Sequence, residues 1–250
     1  MTLRLTSDGP VARLLIDRAD KRNAFNQAMW EALPALVQKA MADPSVRVLT
    51  IESVHPGIFC AGAEISELLA NKDDAGWRAA NQSAINHAQH ELARAEKPVI
   101  AFIDGDCVGG GCGIALAADI RIATPRARLG ITPAKLGLVY SLHDTKLLID
   151  LVGPGQAKRM LFTGMLLGAE EALRIGLVDE IAEGPGELED LIAASSRLST
   201  TATKRIVRRV LEGQSDDDAE TLAQFAAAFG GPDFLEGTSA FVAKRKPKFK

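Results

Sequence analysis

A chain of 250 residues, 47% hydrophobic and 24% charged, is long enough for one globular core or for a core with an appendage. Its formal net charge of −3 supplies no overall attraction to nucleic acid or to an anionic membrane surface. Three cysteines in apolar or glycine-rich sequence and four scattered histidines match neither a disulfide framework nor a zinc-type spacing. The cysteines read as free thiols in a reducing cytosol. With no signal pattern at the N-terminus and no apolar run of membrane-spanning length, a soluble cytoplasmic protein is expected.

In chain order, Leu3–Leu5 and Val11–Ile16 alternate or run apolar around Ser7–Asp8–Gly9–Pro10, the pattern of a hairpin. A charged loop, Asp17–Asn23, comes next. Asn26 is placed to cap a helix over Gln27–Ala42, with Met29, Leu33, Leu36, Val37 and Met41 near one face. Pro34 predicts a late start or a kink in that helix. Val46–Ile51 reads as a short buried strand. The chain then turns through His55–Pro56–Gly57 into Ile58–Ile65, where Ala61, Gly62 and Ala63 leave backbone exposed at a strand end. A rather polar amphipathic helix is predicted over Ala75–Ala95, stopped by Lys97–Pro98.

The stretch Phe102–Asp119 organises the rest. An apolar run, Pro98–Ile103, passes into a turn, then Gly109–Gly110–Gly111, then a small-residue helix beginning near Gly110. Glycines at a loop-to-helix junction permit positive φ and let bare N–H groups approach a ligand. The first N–H groups of a helix have no internal partner and lie at the positive end of its dipole. An oxygen gaining negative charge fits there, although close packing of small residues explains the same stretch. Beyond it, Ile120–Ala123 and Leu129–Ile131 read as strands and Thr132–Tyr140 as a loop. Helices are expected over Asp144–Val152, Gly155–Thr163 and Ala169–Ile175, and a last strand-like piece over Leu177–Ile181. From Gly186 onward only helical patterns occur, and the basic residues Lys244, Arg245, Lys246, Lys248 and Lys250 read as a solvated tail.

Two small-residue turns, each leaving a strand, suggest two backbone donors aimed at one oxygen. Here the sequence resembles the crotonase family, also called the enoyl-CoA hydratase/isomerase superfamily. The resemblance is carried by DKRNAF (Asp20–Phe25), FCAGAEI (Phe59–Ile65) and IDGDCVGGGCGIALAADIRIA (Ile103–Ala123). It continues through LGITPAKLGL (Leu129–Leu138), Phe162–Glu180 and EGTSAFVAKRKPKF (Glu236–Phe249), covering nearly the whole chain in order.

The resemblance implies an α/β fold, a crotonase-type spiral of ββα units over residues 1–187, and an all-helical trimerisation region over 188–250. It implies an acyl-CoA thioester as substrate, with coenzyme A as part of that substrate and no other cofactor or metal. No nucleic-acid or membrane partner is implied; a homotrimer or a dimer of trimers is. The family's oxyanion-hole donors fall on Ala63 and Gly110, whose N–H groups would hold the thioester oxygen as it becomes an enolate. Its nucleotide contacts fall on Lys21, Arg22 and Ala24, and on the backbone around Ala61, Glu64 and Ile65. A neighbouring subunit contributes the residues matching Phe241 and Lys244, which makes Lys244 a phosphate partner. The acidic side chains of Glu64 and Asp119 are expected to be structural.

The sequence departs from the family at the chemistry. The hydratases use two glutamates to move protons, and those positions correspond to Gly113 and Ala134. The small-residue loop that normally comes after them is replaced by Tyr140, Ser141, Leu142, His143 and Asp144. Tyr140, with Thr132, matches a pattern of crotonase-type malonyl-thioester decarboxylases and is a candidate to orient substrate, or simply a lining aromatic. His143 is a candidate base or an ordinary loop residue. Asp144 reads as the N-cap of the helix it precedes. The expectation is enolate chemistry without the hydratase pair, by decarboxylation, double-bond isomerisation or hydrolysis. The alternative is an acyl-CoA-binding or accessory protein with impaired catalysis.

Overall fold

The computed structural model describes residues 2–249, so Lys250 of the basic tail lies outside the described residues. Strands β1 (Leu3–Asp8) and β2 (Val11–Ile16) form the expected antiparallel hairpin, with Ser7 and Asp8 paired in the strand rather than in the turn. Helix α1 (Gln27–Ala42) is capped by Asn26, whose side chain accepts from the Met29 N–H. It runs unbroken through Pro34, because burial of Met29, Trp30, Leu33 and Val37 outweighs the hydrogen bond that proline cannot make.

Three successive strand–strand–helix units come next, the spiral that the sequence predicts. The first holds β3 (Val48–Ser53), β4 (Ile58–Cys60), α2 (Ile65–Ala70) and α3 (Ala75–Ala93). The second holds β5 (Val99–Ile103), β6 (Asp106–Val108) and α4 (Gly110–Ala117). The third holds β7 (Ile120–Ala123), β8 (Arg128–Gly130), α5 (Pro133–Leu136) and α6 (Leu142–Thr163). Then come β9 (Leu166–Gly168), α7 (Ala169–Arg174) and β10 (Glu180–Ile181). In each unit the first strand joins a six-stranded sheet of order β1-β2-β3-β5-β7-β10. The second joins a four-stranded sheet of order β4-β6-β8-β9.

Central strands buried on both faces read as continuous apolar runs, and β5 shows why. Val99, Ala101 and Ile103 point into the main core, while Ile100 meets Val48 and Ile122 on the opposite face. The strands β6 and β9 and helix α2, absent from the sequence reading, are three to six residues long. Pieces that short are decided by their neighbours, not by periodicity. The two helices expected over 144–163 are present within α6, separated by a kink at Gly153, whose φ of +71° and ψ of 166° are not helical.

The chain ends in α8 (Gly186–Ala193), α9 (Arg197–Leu211), α10 (Ala219–Phe229) and α11 (Pro232–Val242). Helix α8 covers the outer face of the large sheet, where Leu188 and Ile192 pack on Val48, Ile100 and Ile122. Its buried Glu189 accepts from the Thr50 hydroxyl at 2.5 Å and pairs with Arg13 at 2.7 Å. The last three helices keep large apolar side chains exposed, among them Val210, Phe225, Leu235 and Phe241. All three cysteines are free and buried, and burial pushes the Cys60 thiol up to about 12. Among the described residues no helix is long and apolar enough to cross a membrane.

Candidate active site

The short strands β4, β6 and β8 are adjacent and parallel, so the chain leaves all three at the same edge of the small sheet. It leaves β4 through the turn 61–63, β6 through the junction 109–110 and β8 through the loop 132–140. Topology therefore gathers three segments that are far apart in sequence. Gly62 has φ +98°, and a Cβ there would lie 2.8 Å from the Val108 carbonyl oxygen and 3.2 Å from the Gly110 nitrogen. Gly109 has φ +57° and turns the chain into α4. Only glycine meets both demands cheaply.

Ala63 sits in a bridge to Phe25 in which the Phe25 N–H donates to the Gly62 carbonyl and the Glu64 N–H to the Phe25 carbonyl. Its own N–H is not used. Gly110 is the first residue of α4, so its N–H has no partner inside the helix. Among the described residues neither N–H has an acceptor, and both residues line one cleft of about 560 Å³.

One wall of that cleft is α3, which presents Trp77, Asn81, Ile85 and Gln89 at four-residue spacing. Ile65, Leu68 and Leu69 add apolar surface from α2, and Trp30 borders Gly110. The opposite wall is Pro133, Leu136 and Leu138–Ser141, with Asp144 behind them.

Asp144 corrects the sequence reading. The N-cap of α6 is Ser141, whose hydroxyl oxygen accepts from the Asp144 N–H at 3.0 Å. Asp144 is instead turned inward, 2% exposed, and is the one carboxylate lining the cleft among the described residues. Burial pushes its carboxyl up to about 6, against the pull of Ser141 and the nearby Gln89 amide. Beside it, burial and then the Asp144 charge hold the Tyr140 phenol well above its usual range, so it stays protonated. The Tyr140 hydroxyl donates to the Gly109 carbonyl at a long 3.4 Å. A Cβ at Gly113 would lie 2.2 Å from Gln89 Nε2, 3.0 Å from Tyr140 Oη and 3.4 Å from Asp144 Oδ2. These three polar groups surround the space that a side chain at 113 would fill. Sequence reasoning missed Gln89, whose only signal was its place in the Trp77–Asn81–Ile85 series.

The other candidates divide. Ile65 lines the cleft with Ala63, Gly110 and Tyr140. His143 does not share it. Consecutive helical residues point about 100° apart, and His143 faces a second cavity of about 260 Å³ with Arg94, Arg121 and Lys146. Burial there lowers its pKa. Thr132 lies beside Gly109 at the start of α5 rather than on the cleft wall, its hydroxyl 3.7 Å from a Cβ placed at Gly109. Lys21 and Arg22 are exposed, Lys21 lying 3.6 Å from Glu64 and Arg22 2.6 Å from Asp106. Glu64 also pairs with Arg18 at 2.5 Å and accepts from Ser66, and it is not part of the cleft lining. The Ala61 N–H donates to the Arg22 carbonyl, and the Ala24 carbonyl accepts from Arg18, so both backbones brace this loop. Asp119 is structural, accepting from the Val99 N–H and pairing with Lys204. Phe241, 84% exposed, and Lys244, just past the end of α11, lie outside the cleft lining.

A family model described as enoyl-CoA hydratase/isomerase matches residues 6–250. A short-chain-enoyl-CoA hydratase from Clostridium acetobutylicum is 32% identical over 250 residues, covering 97% of this chain and 95% of the relative. A carnitinyl-CoA dehydratase from Proteus mirabilis is 32% identical over 261 residues, covering 100% of this chain and 98% of the relative. Among solved structures, an enoyl-CoA hydratase/isomerase family protein from Hyphomonas neptunium superposes with a TM-score of 0.94. It is 41% identical, covering 100% of this chain and 98% of that one.

Proposed function

Because this chain belongs to the enoyl-CoA hydratase/isomerase family of acyl-CoA enzymes, we propose that it moves a proton on an enoyl thioester with a single carboxylate, Asp144, isomerising the double bond. The Ala63 and Gly110 N–H groups hold the thioester oxygen as it becomes an enolate oxygen. Asp144 takes a proton from C2 of a 3-enoyl thioester, and the C–H electrons flow into the enolate. The same carboxylic acid returns the proton to C4, the electrons return through the carbon chain, and the product is the conjugated 2-enoyl thioester. No atom is gained or lost.

The observation that carries this reading is that the cleft lined by both backbone donors holds one carboxylate among the described residues. Hydration calls for two proton-transferring groups, and on this reading Gly113 and Ala134 stand where the family's hydratases place theirs. Decarboxylation would set a substrate carboxylate beside the Asp144 charge. An inert binding protein would have no use for a buried carboxyl that titrates near 6. The exposed Lys21 and Arg22 serve the nucleotide of coenzyme A, joined by Phe241 and Lys244 of a neighbouring copy. The exposed apolar faces of α9–α11 are then covered in a trimer or a dimer of trimers, and a monomer by light scattering would contradict that part.

The test is 3-hexenoyl-CoA, followed by the absorbance of the conjugated product, beside crotonyl-CoA hydration by the same preparation. Bond migration is expected, with hydration near background. Rapid hydration, or tight binding without migration, would overturn the reading.

A further inference from the structure

We propose that Trp30 is a positioning residue for the two backbone donors, its indole edge setting where the Gly110 N–H points relative to the Ala63 N–H. This rests on the oxyanion reading above and adds the device that holds the two donors in register. Phe25 and Trp30 form a tilted ring pair, with centroids 4.6 Å apart and planes at 45°. Phe25 brackets Ala63 through the backbone bridge, since its N–H donates to the Gly62 carbonyl and its carbonyl accepts from the Glu64 N–H. Trp30 closes on the other donor. A Cβ at Gly110 would lie 3.2 Å from Trp30 Cζ2, 3.5 Å from Cη2 and 3.5 Å from the Ala63 nitrogen. Ala63, Phe25, Trp30 and Gly110 thus form one closed ring of neighbours, anchored in the Asn26-capped start of α1.

Core filling alone does not call for an indole here. Phe25 and Trp30 are 1% and 0% exposed, yet Trp30 Nε1 has no hydrogen-bond partner among the described residues. A buried indole N–H normally finds one, and leaving it unpaired is destabilising, a cost that phenylalanine would not carry. Departures of this kind gather at functional sites. What the indole adds over a phenyl ring is reach. Its outer edge, Cζ2 and Cη2, is the part that borders Gly110, and Trp30 lines the cleft together with both donors. Gly110 has no side chain through which packing could hold it, so a rigid ring beside it limits its rotation. A donor that turns away from its acceptor weakens steeply with angle and distance.

Crotonyl-CoA carrying carbon-13 at its thioester carbonyl is bound to the wild type, Trp30→Phe, Gly110→Ala and the double variant, and the labelled carbonyl stretch is read by difference infrared spectroscopy. Hydrogen bonds to the oxygen weaken the C=O bond, so binding to the wild type is expected to lower the frequency. Phenylalanine ends short of Gly110, and the methyl added by Gly110→Ala crowds the indole at 3.2 Å. Each single variant should therefore show a smaller lowering. In the double variant the methyl fills the space that the indole edge leaves, and the lowering returns toward the wild type. For 3-hexenoyl-CoA, kcat should fall roughly tenfold to a hundredfold in the single variants, with KM changed less. The frequency belongs to the bound thioester and not to the fraction folded. A merely core-filling indole would thus lower the melting temperature of Trp30→Phe and leave the frequency alone. That result, or a double variant no better than the singles, overturns the proposal. Should Trp30→Phe not fold, an unmoved frequency in Gly110→Ala does the same. Binding to the wild type without any lowering would instead overturn the oxyanion reading, and failure to bind would overturn the acyl-CoA reading; this inference falls with either.

Discussion

Asp144 Oδ2 lies 3.4 Å from where the Cβ of a side chain at Gly113 would stand. The carboxylate thus reaches the edge of that space from α6, not from α4. Gly113 sits three residues, about 4.5 Å of helix, beyond Gly110. A group filling its side-chain space is therefore within one helical turn of the oxygen that Gly110 would hold. The absence of a side chain at Gly113 makes room for the Gln89 amide, 2.2 Å from where that Cβ would stand, with the Asp144 carboxyl at contact distance beside it.

Asp144→Asn keeps the shape and removes the base. Loss of one general acid–base group is expected to lower the isomerisation rate by roughly 10²–10⁴. Thioester affinity should hold within a few-fold, since the backbone donors are untouched. In the wild type, kcat/KM should fall as pH drops below about 6, where the carboxyl becomes protonated. An unchanged rate in the variant would remove Asp144 from the mechanism.

The same residue makes a stability prediction of definite sign. The Asp144 carboxyl titrates at about 6 folded, against an ordinary value of 3.8. Between those values the folded state binds more protons than the unfolded one, so this residue's contribution falls as pH rises and is fully unfavourable above about 6. The penalty at neutral pH is on the order of 3 kcal/mol. Asp144→Asn should therefore melt higher than wild type at pH 8, with the gap closing toward pH 4. A gap independent of pH would show that the carboxyl is not displaced.

Ala63→Pro deletes one donor without breaking an internal bond, because the Phe25 bridge uses the Gly62 carbonyl and the Glu64 N–H. A drop of about 10²–10³ in turnover is expected. The melting temperature should change little. Full activity in a folded variant would place the oxygen elsewhere.

Tyr140→Phe separates the phenol from the ring. The hydroxyl is held protonated beside Asp144 and bonds the Gly109 carbonyl weakly, so it is free to donate within the cleft. Losing one such hydrogen bond in the transition state lowers the rate roughly tenfold. Substrate affinity should persist. If neither quantity moves, Tyr140 only lines the wall.

Much of this protein was legible before any fold was known. The apolar alternation of Val11–Ile16, the cap at Asn26 and the small residues at Ala63 and Gly110 are local signals. Backbone sterics and periodicity act within a few residues, so such signals survive in one dimension. The meeting of Ala63 with Gly110 needed the parallel register of β4 and β6, which no local pattern encodes. Asp144 shows the limit most plainly. By sequence it stands where an N-cap belongs, but Ser141 takes that role and frees the carboxyl. Gln89 belongs to a helix that reads as amphipathic and rather polar, and only the packing of α3 on α4 reveals that its amide is buried beside Gly113. His143 and Asp144 are neighbours in the chain and face different cavities. The sequence determined which groups were available; the tertiary structure decided which of them share a solvent-shielded space, because burial and proximity are properties of packing between distant segments.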